Sequence, residues 1–392
     1  MIITDDKKID ELLTRGVEEI IDKNQLRAKL KEGRQLRIKF GVDPTSPNIH
    51  IGRSVPLLKL RDFQQLGHKI ILIIGDFTGV IGDTSDKESE RPMLRAEQVK
   101  KNMKNYIQQA QKILNLDECE THHNSEWLNK LRYQELCEQA NIFSLNDFNS
   151  RDNIRRRLDA GKRVSLRELL YPLMQGYDSV VVKADVEIGG TDQRFNLLAG
   201  RELQRHYGQK PQDIMTNPLI EGLDGRKMSS SWGNVINLFD SPDEMYGKTM
   251  SLKDEYLIKY FTLTTRLKLT EIEKYQQALT EGLNPRDLKM KLAYEIVRFY
   301  HSEEAARDAQ AFFINTFSKK EVPDDLKIIK PNQLDIISVL VEAKFSTSKT
   351  EARRVIEAGG VKVNSIVIDD YKLILKSGDI VQKGKRFFVK IK

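Results

Sequence analysis

The chain has 392 residues, of which 39% are hydrophobic and 31% charged, and 64 Lys+Arg against 57 Asp+Glu leave a net charge of +7. That length exceeds one ordinary domain and the composition is globular, which sets aside disordered and collagenous chains, while the modest basic excess permits a polyanionic partner without demanding one. The two cysteines, Cys119 and Cys137, are too few for a disulfide scaffold or a cysteine metal cage, and two free thiols fit a reducing, cytoplasmic compartment.

The opening Met-Ile-Ile-Thr-Asp-Asp is acidic where a signal peptide is basic. Residues 7–30 carry a charged helical periodicity. Leu36, Ile38 and Phe40 alternate with Arg37 and Lys39, which predicts a strand over Gln35–Phe40. A Gly-Val-Asp-Pro turn follows, then a helix from about Ile51 to Leu66, closed by Gly67 in the left-handed conformation. Lys69–Ile74 reads as a strand buried on both faces. Its aliphatic run, Ile70–Ile74, is far too short to span a membrane, so no membrane partner is expected. Strand, helix and strand in this order are a crossover unit of a parallel sheet.

Residues 95–115 predict an amphipathic helix. Residues 140–175 read as irregular and Arg-rich, Val180–Val182 and Val186–Ile188 as short strands, and 195–207 as a helix. Beyond about 235 the pattern turns helical as far as 320, and Ile328–Gln333, with Pro331, reads as a linker. In the last 60 residues Ser348-Lys-Thr-Glu351 is a capping box and Gly359-Gly360 ends the helix it opens, with Ala352, Val355 and Ile356 on one face. Arg353 and Arg354 fall towards the other side, and short strands follow.

Two constellations carry chemistry. Gly41-Val-Asp43-Pro-Thr-Ser-Pro-Asn-Ile-His50-Ile-Gly52-Arg53 joins a strand to a helix. A helix N-terminus there offers free N–H groups and the positive dipole end to a phosphate, although a decorated turn would look the same. Asp224-Gly-Arg-Lys227-Met228-Ser229-Ser230-Ser231 is a polar, glycine-hinged loop. It is either an exposed basic loop or a lid whose Lys227 meets a departing polyphosphate. Tyr171, Gln175 and Asp178 have the spacing of one helical face.

In this order the two constellations resemble the His-Ile-Gly-His and Lys-Met-Ser-Lys-Ser signatures of class I aminoacyl-tRNA synthetases. Tyr171-Pro-Leu-Met-Gln175-Gly-Tyr-Asp178 and Ile188-Gly-Gly190-Thr-Asp192-Gln193 narrow the resemblance to the bacterial tyrosyl-tRNA synthetases, over nearly the whole chain. The resemblance implies an α/β fold: a Rossmann-like parallel-sheet catalytic domain at 1–235, a helical anticodon-side domain at 236–327, and at 333–392 a small α+β RNA-binding domain like one in a ribosomal protein. It implies a homodimer with 120–170 near the interface. The partners are tRNA, L-tyrosine and ATP, the last with Mg2+; no prosthetic group and no protein-held metal are expected.

The roles it implies follow the same positions. Asp178 accepts the substrate phenol; Tyr171 and Gln175 hold the ammonium group, with Thr78 and Asn124 lining that pocket and Asp83 supporting it. Gln193 stands near the reacting carboxylate and Asp43 at the mouth between the two substrates. Gly41, His50, Gly52, Gly190, Asp192, Lys227, Met228 and Ser229 belong to the ATP site, and His50, Arg53, Lys227 and Ser230 act at the phosphates. Lys349, Arg353, Arg354 and Lys362 face tRNA, with Lys383, Lys385 and Arg386 adding charge to the same tail. A tryptophanyl enzyme and an RNA-binding factor built on a retired synthetase are the competing readings; Asp178 with Tyr171 and the tail oppose the first, and the retained Gln175, Asp178, Asp192 and Lys227 the second.

Three positions depart from the pattern. Arg53 replaces the second histidine of the first signature, and Ser230 replaces the second lysine of the other. These read either as linked changes, one fixed cation gained and one mobile cation lost, or as independent drift. Lys39 stands where one branch of the family has a phenol-binding tyrosine. A lysine beside a buried phenol and Asp178 is costly unless paired, or else its side chain faces the other way.

Overall fold

A computed structural model describes residues 1–85, 93–318, 326–364, 366–384 and 387–392. The chain divides into two units, Met1–Ala306 and Arg307–Lys392. The first is built on six strands: β1 (Glu19–Ile21), β2 (Arg37–Val42), β3 (Lys69–Ile74), β4 (Glu120–His123), β5 (Val186–Gly190) and β6 (Asp213–Asn217). Their order across the sheet is β1-β6-β5-β2-β3-β4. All neighbouring pairs are parallel except β1 with β6.

The expected crossover from β2 to β3 is made by the helix Ile51–Gln65. It buries Ile51, Val55, Leu57, Leu58, Leu60 and Phe63 and ends where Gly67 turns to φ +92°. Pairing runs in register from Arg37 with Lys69 to Val42 with Ile74. On β2 the alternation of charge and hydrocarbon is misleading, because Lys39 is as buried as Ile38. Helices Ala96–Ala110, Leu166–Val181 and Arg194–His206 complete the surroundings of the sheet, and five helices between Pro242 and Phe313 follow.

In the second unit β7 (Ile328–Ile329), β8 (Val361–Val363), β9 (Ile366–Val367), β10 (Ile380–Lys383) and β11 (Phe387–Ile391) form a sheet ordered β7-β11-β10-β8-β9. Its core joins Ile336, Val339, Leu340, Ala352, Ile356, Val361, Val381 and Val389.

Five local expectations are corrected. The periodicity of 7–30 is broken into helices Asp6–Leu12 and Lys23–Lys31 with β1 between them, because Gly16 and Asp22 take positive φ and turn the chain. The Arg-rich stretch 140–175 is helical, in Leu145–Asn149, Asp152–Asp159 and the start of Leu166–Val181; Arg155, Arg156 and Arg163 are exposed, while Arg151 and Arg157 are buried, the latter paired with Glu168. Val180–Val182 is no strand, since the helix runs through Val181 and its C-cap Val182 packs in a cluster with Ile71 and Ile73. Ile328–Ile329 is no linker, because it adds to the edge of β11. The capping box is shifted: Ser348 Oγ accepts from the Glu351 N–H, but the Glu351 carboxylate accepts from Thr347.

Candidate active site

The carboxyl ends of β2, β3, β5 and β6 open into a cleft of about 1020 Å3. Ligands of open parallel sheets bind at such strand ends, where successive loops diverge. Every residue assigned from sequence to the tyrosine, phosphate and nucleotide sites lines it: Asp43, Thr78, Asp83, Asn124, Tyr171, Gln175, Asp178 and Gln193 at one end, and Gly41, His50, Gly52, Arg53, Gly190, Asp192, Lys227, Met228, Ser229 and Ser230 at the other.

The closed end is built around Asp178, which is 3% exposed. Its carboxylate accepts from Trp127 Nε1 at 2.8 Å and Asn124 Nδ2 at 3.3 Å. Burial pushes its carboxyl up to about 7, against Lys39, Trp127 and Asn124, which favour the charged form. A buried carboxylate held on one side by donors is an acceptor waiting for a further O–H.

Lys39 does not line the cleft. Its ammonium donates to Glu187 Oε1 at 2.8 Å, Ser179 Oγ at 2.7 Å and the Gln175 carbonyl at 2.7 Å. All three donors are therefore engaged, and both partners of the ion pair are essentially inaccessible.

Beside Asp178 a second network fixes the neighbouring pocket. Tyr171 Oη donates to one oxygen of Asp43 and Thr78 Oγ1 to the other, each at 2.8 Å, and Asn124 Nδ2 donates to Thr78 at 2.9 Å. Gly75 is required here, since a Cβ on it would stand 1.9 Å from Asp43 Oδ1 and 2.4 Å from Thr78 Oγ1. Gln193 Nε2 donates to Asp83 at 2.6 Å, while buried Asn196 donates to both Gln175 and Gln193 side-chain oxygens.

At the other end the two signature segments touch. Ile51 N–H donates to the Ile236 carbonyl and Leu238 N–H to Ile49, so the chain after the second signature runs along the first. Gly52 N–H meets Met228 Sδ at 3.3 Å. His50 caps its helix, with Nδ1 accepting from the Arg53 N–H at 3.3 Å. That acceptor role puts the proton of a neutral ring on Nε2. Burial, Arg53 and Lys227 hold the imidazolium down to about 3, so His50 is a neutral donor.

Arg53 Nη1 donates to Ser46 Oγ at 3.1 Å, which ties its cation to the loop after β2. Lys227 Nζ rests on Asp192 Oδ2 at 2.9 Å. Asn234 clamps the base of this loop, accepting from Ser229 N–H and donating to Asp224 and the Lys227 carbonyl.

A family model described as class I tRNA synthetases for tryptophan and tyrosine matches residues 31–318, and an S4 domain model matches 336–381. The chain is 45% identical to the tyrosine–tRNA ligase of Thermotoga maritima, over 97% of this chain and 96% of that one. It is 46% identical to tyrosine–tRNA ligase 2 of Clostridium acetobutylicum, over 98% and 99%. The chain belongs to the tyrosine–tRNA ligase family.

The fold agrees. A C-terminally truncated mitochondrial tyrosyl-tRNA synthetase from Aspergillus nidulans superposes with a TM-score of 0.66 at 23% identity, covering 79% of this chain and 94% of that one. The Archaeoglobus fulgidus enzyme, solved with L-tyrosine, gives 0.62 at 25% identity, covering 78% and 99%.

Relative to the family pattern, sequence reasoning missed Trp127, Gly75, Asn196 and Glu187. Trp127 lies one short turn past Asn124, a signal that local spacing could have offered; Gly75 beside Asp43, Asn196 on Gln175 and Glu187 on Lys39 also depend on contacts more distant in sequence. Among the described residues no cluster of three His, Cys, Asp or Glu side chains could hold a metal, and no helix is long and apolar enough to cross a membrane. In the S4 unit Lys349, Arg353 and Arg354 are exposed and Lys362 is half-buried. Lys383 instead turns inward, donating to the Phe345 carbonyl and to Glu351. Lys385 and Arg386 lie outside the described residues.

Proposed function

We propose that the protein activates L-tyrosine with ATP and transfers it to the 3' end of its tRNA, acting in the cytoplasm. The observation that carries this reading is the buried Asp178 carboxylate at the closed end of a cleft whose open end joins both phosphate signatures. A phenol O–H would complete Asp178, the Tyr171–Gln175–Asp83 side would receive the ammonium group, and Gln193 would stand by the substrate carboxylate.

In the first step a carboxylate oxygen of tyrosine attacks the α-phosphorus of ATP, and the bond to pyrophosphate breaks. The attacking group is already an anion, so no general base is needed. The protein supplies position and charge. His50 offers Nε2–H, and the N-terminus of its helix offers backbone donors. Arg53 supplies a fixed cation where Ser230 supplies none. Asp192 and Gly190 take the ribose; a ribose hydroxyl donating to Asp192 competes with Lys227 and releases that lysine towards the phosphates. Mg2+ arrives with ATP. A tRNA terminal hydroxyl then attacks the adenylate carbonyl and AMP leaves.

Tyrosine-dependent ATP–pyrophosphate exchange is the test. Exchange with tyrosine and none with tryptophan is expected; no exchange with any amino acid would leave the RNA-binding reading instead.

The functional division is a catalytic domain at 1–235, a helical domain at 236–327 that faces the anticodon, and the RNA-binding tail at 333–392. Because β7 belongs to the tail sheet, the informative truncation removes 326–392. Exchange should persist within about twofold, while tRNA affinity falls and its salt dependence flattens as phosphate contacts at Lys349, Arg353, Arg354 and Lys362 are lost. Equal affinity and salt slope with and without the tail would sink this assignment. The homodimer rests on Tyr133, Leu145, Leu158 and Leu166, which are 82%, 65%, 46% and 78% exposed in the 120–170 stretch.

A further inference from the structure

Lys39 and Glu187 are opposed residues of the parallel pair β2–β5. Both side chains point to the Leu166–Val181 helix, and neither lines the cleft. The Lys39 ammonium lies on the helix turn that runs from Gln175 to Ser179, with Asp178 carried on that same turn. Glu187 is held in place by Ser179 Oγ at 3.0 Å, by Gln175 Nε2 at 3.2 Å and by Gln212. The buried polar group thus joins two strands to the helical turn that bears Gln175 and Asp178, which line the cleft.

We propose that Lys39 is a positioning and specificity-determining residue for tyrosine: it fixes the Gln175–Ser179 turn that carries Asp178, the phenol acceptor, without touching the substrate. This rests on the reading of Asp178 as the phenol acceptor. A dry carboxylate favours its neutral form, and a neutral carboxyl is a poor reason to prefer phenol over a bare phenyl ring. A cation behind the helix opposes that. It does not enter the pocket, because its three donors are already engaged.

The groups that face Asp178 are few. Lys39 comes from β2, Glu187 from β5 and Tyr171 from the same helix; Asn124 and Trp127 come from the segment after β4, with the His122 ring tilted against Trp127 at 6.0 Å. Lys39 is the cation among them whose charge favours ionised Asp178, and it outweighs the opposing Glu187.

The test compares the wild type, Lys39→Met and the charge-balanced pair Lys39→Met with Glu187→Gln, in exchange assays from about pH 6 to 9 with tyrosine and phenylalanine. For Lys39→Met the KM for tyrosine should rise about fivefold at neutral pH, the loss of ionised acceptor that a one-unit displacement of Asp178 from about 7 gives. It should recover as the pH is raised, while kcat stays within about twofold and discrimination against phenylalanine falls. If Lys39→Met does not fold, the balanced pair carries the test alone. A role confined to the buried ion pair makes the balanced pair behave as wild type, and that result would overturn the proposal. Retention of the KM defect and its pH dependence in the balanced pair supports it. A wild type that shows no tyrosine-dependent exchange removes the functional reading itself, and is read without any variant.

Discussion

Lys227→Ala is expected to slow adenylate formation by about 10²–10³-fold while leaving the KM for tyrosine nearly unchanged. The reason is where the charge sits at each stage. Before the reaction, Lys227 rests on Asp192 at 2.9 Å, and its side chain is one-third exposed. The pocket proposed for tyrosine lies at the Asp178 end of the cleft, away from this pair. During the reaction negative charge builds on the departing pyrophosphate, and a cation on a glycine-hinged loop can follow it. An interaction made only in the transition state appears in kcat and kcat/KM equally. The variant also relieves Asp192 of a competitor, so the KM for ATP should fall or stay level. Single-turnover measurement of adenylate formation separates these outcomes. A loss confined to the KM for tyrosine would assign Lys227 to ground-state binding instead.

How far the sequence foretold this arrangement depends on how locally each feature is encoded. The helix Ile51–Gln65 and strands β2 and β3 were legible because a Gly-Val-Asp-Pro turn, a Gly67 stop and a continuous Ile-Leu run are all short-range signals. The 140–175 stretch was not, because its arginines dilute an apolar stripe that only packing completes. That the candidate site residues share one cleft was legible through the resemblance, not through chemistry alone. Asp178 by itself reads as a surface carboxylate; Trp127, which donates to it from 51 residues away, is what makes it a buried acceptor.

Lys39 shows the limit most clearly. The sequence posed a choice between a costly lysine in the phenol pocket and a side chain on the far face. The partner that settles the question, Glu187, stands 148 residues on and becomes a neighbour only when β5 pairs with β2. Periodicity can predict that both segments are strands. It cannot give their order in the sheet, and the order decides which charges meet.

Asp178→Asn should lower kcat/KM for tyrosine by roughly 10- to 150-fold, the equivalent of about 1.5–3 kcal/mol for a hydrogen bond to a charged group. The amide keeps the volume and one acceptor oxygen but turns a second donor towards Trp127 or Asn124, both of which already donate there. Phenylalanine should lose much less, because with that substrate the wild type leaves a buried charge without its phenol partner. The pH dependence is a second, independent reading. In the wild type the carboxyl is raised from an ordinary 3.8 to about 7 by burial, so the acceptor form fills as pH rises. Accordingly kcat/KM for tyrosine, which reports the free enzyme, should climb through about pH 7 and level off above it. The variant has no such ionisation and should lose that rise.

Stability runs the other way. A carboxyl whose folded value lies above its unfolded value holds its proton more tightly when folded. Its contribution is fully present at low pH and declines as pH rises from about 4 through about 7. The wild type should therefore lose stability relative to Asp178→Asn over that interval, by on the order of a few kcal/mol at most. Thermal unfolding of the two proteins at matched pH measures it. Parallel stability curves together with an unchanged tyrosine profile would mean that Asp178 is not the titrating acceptor at the end of the cleft.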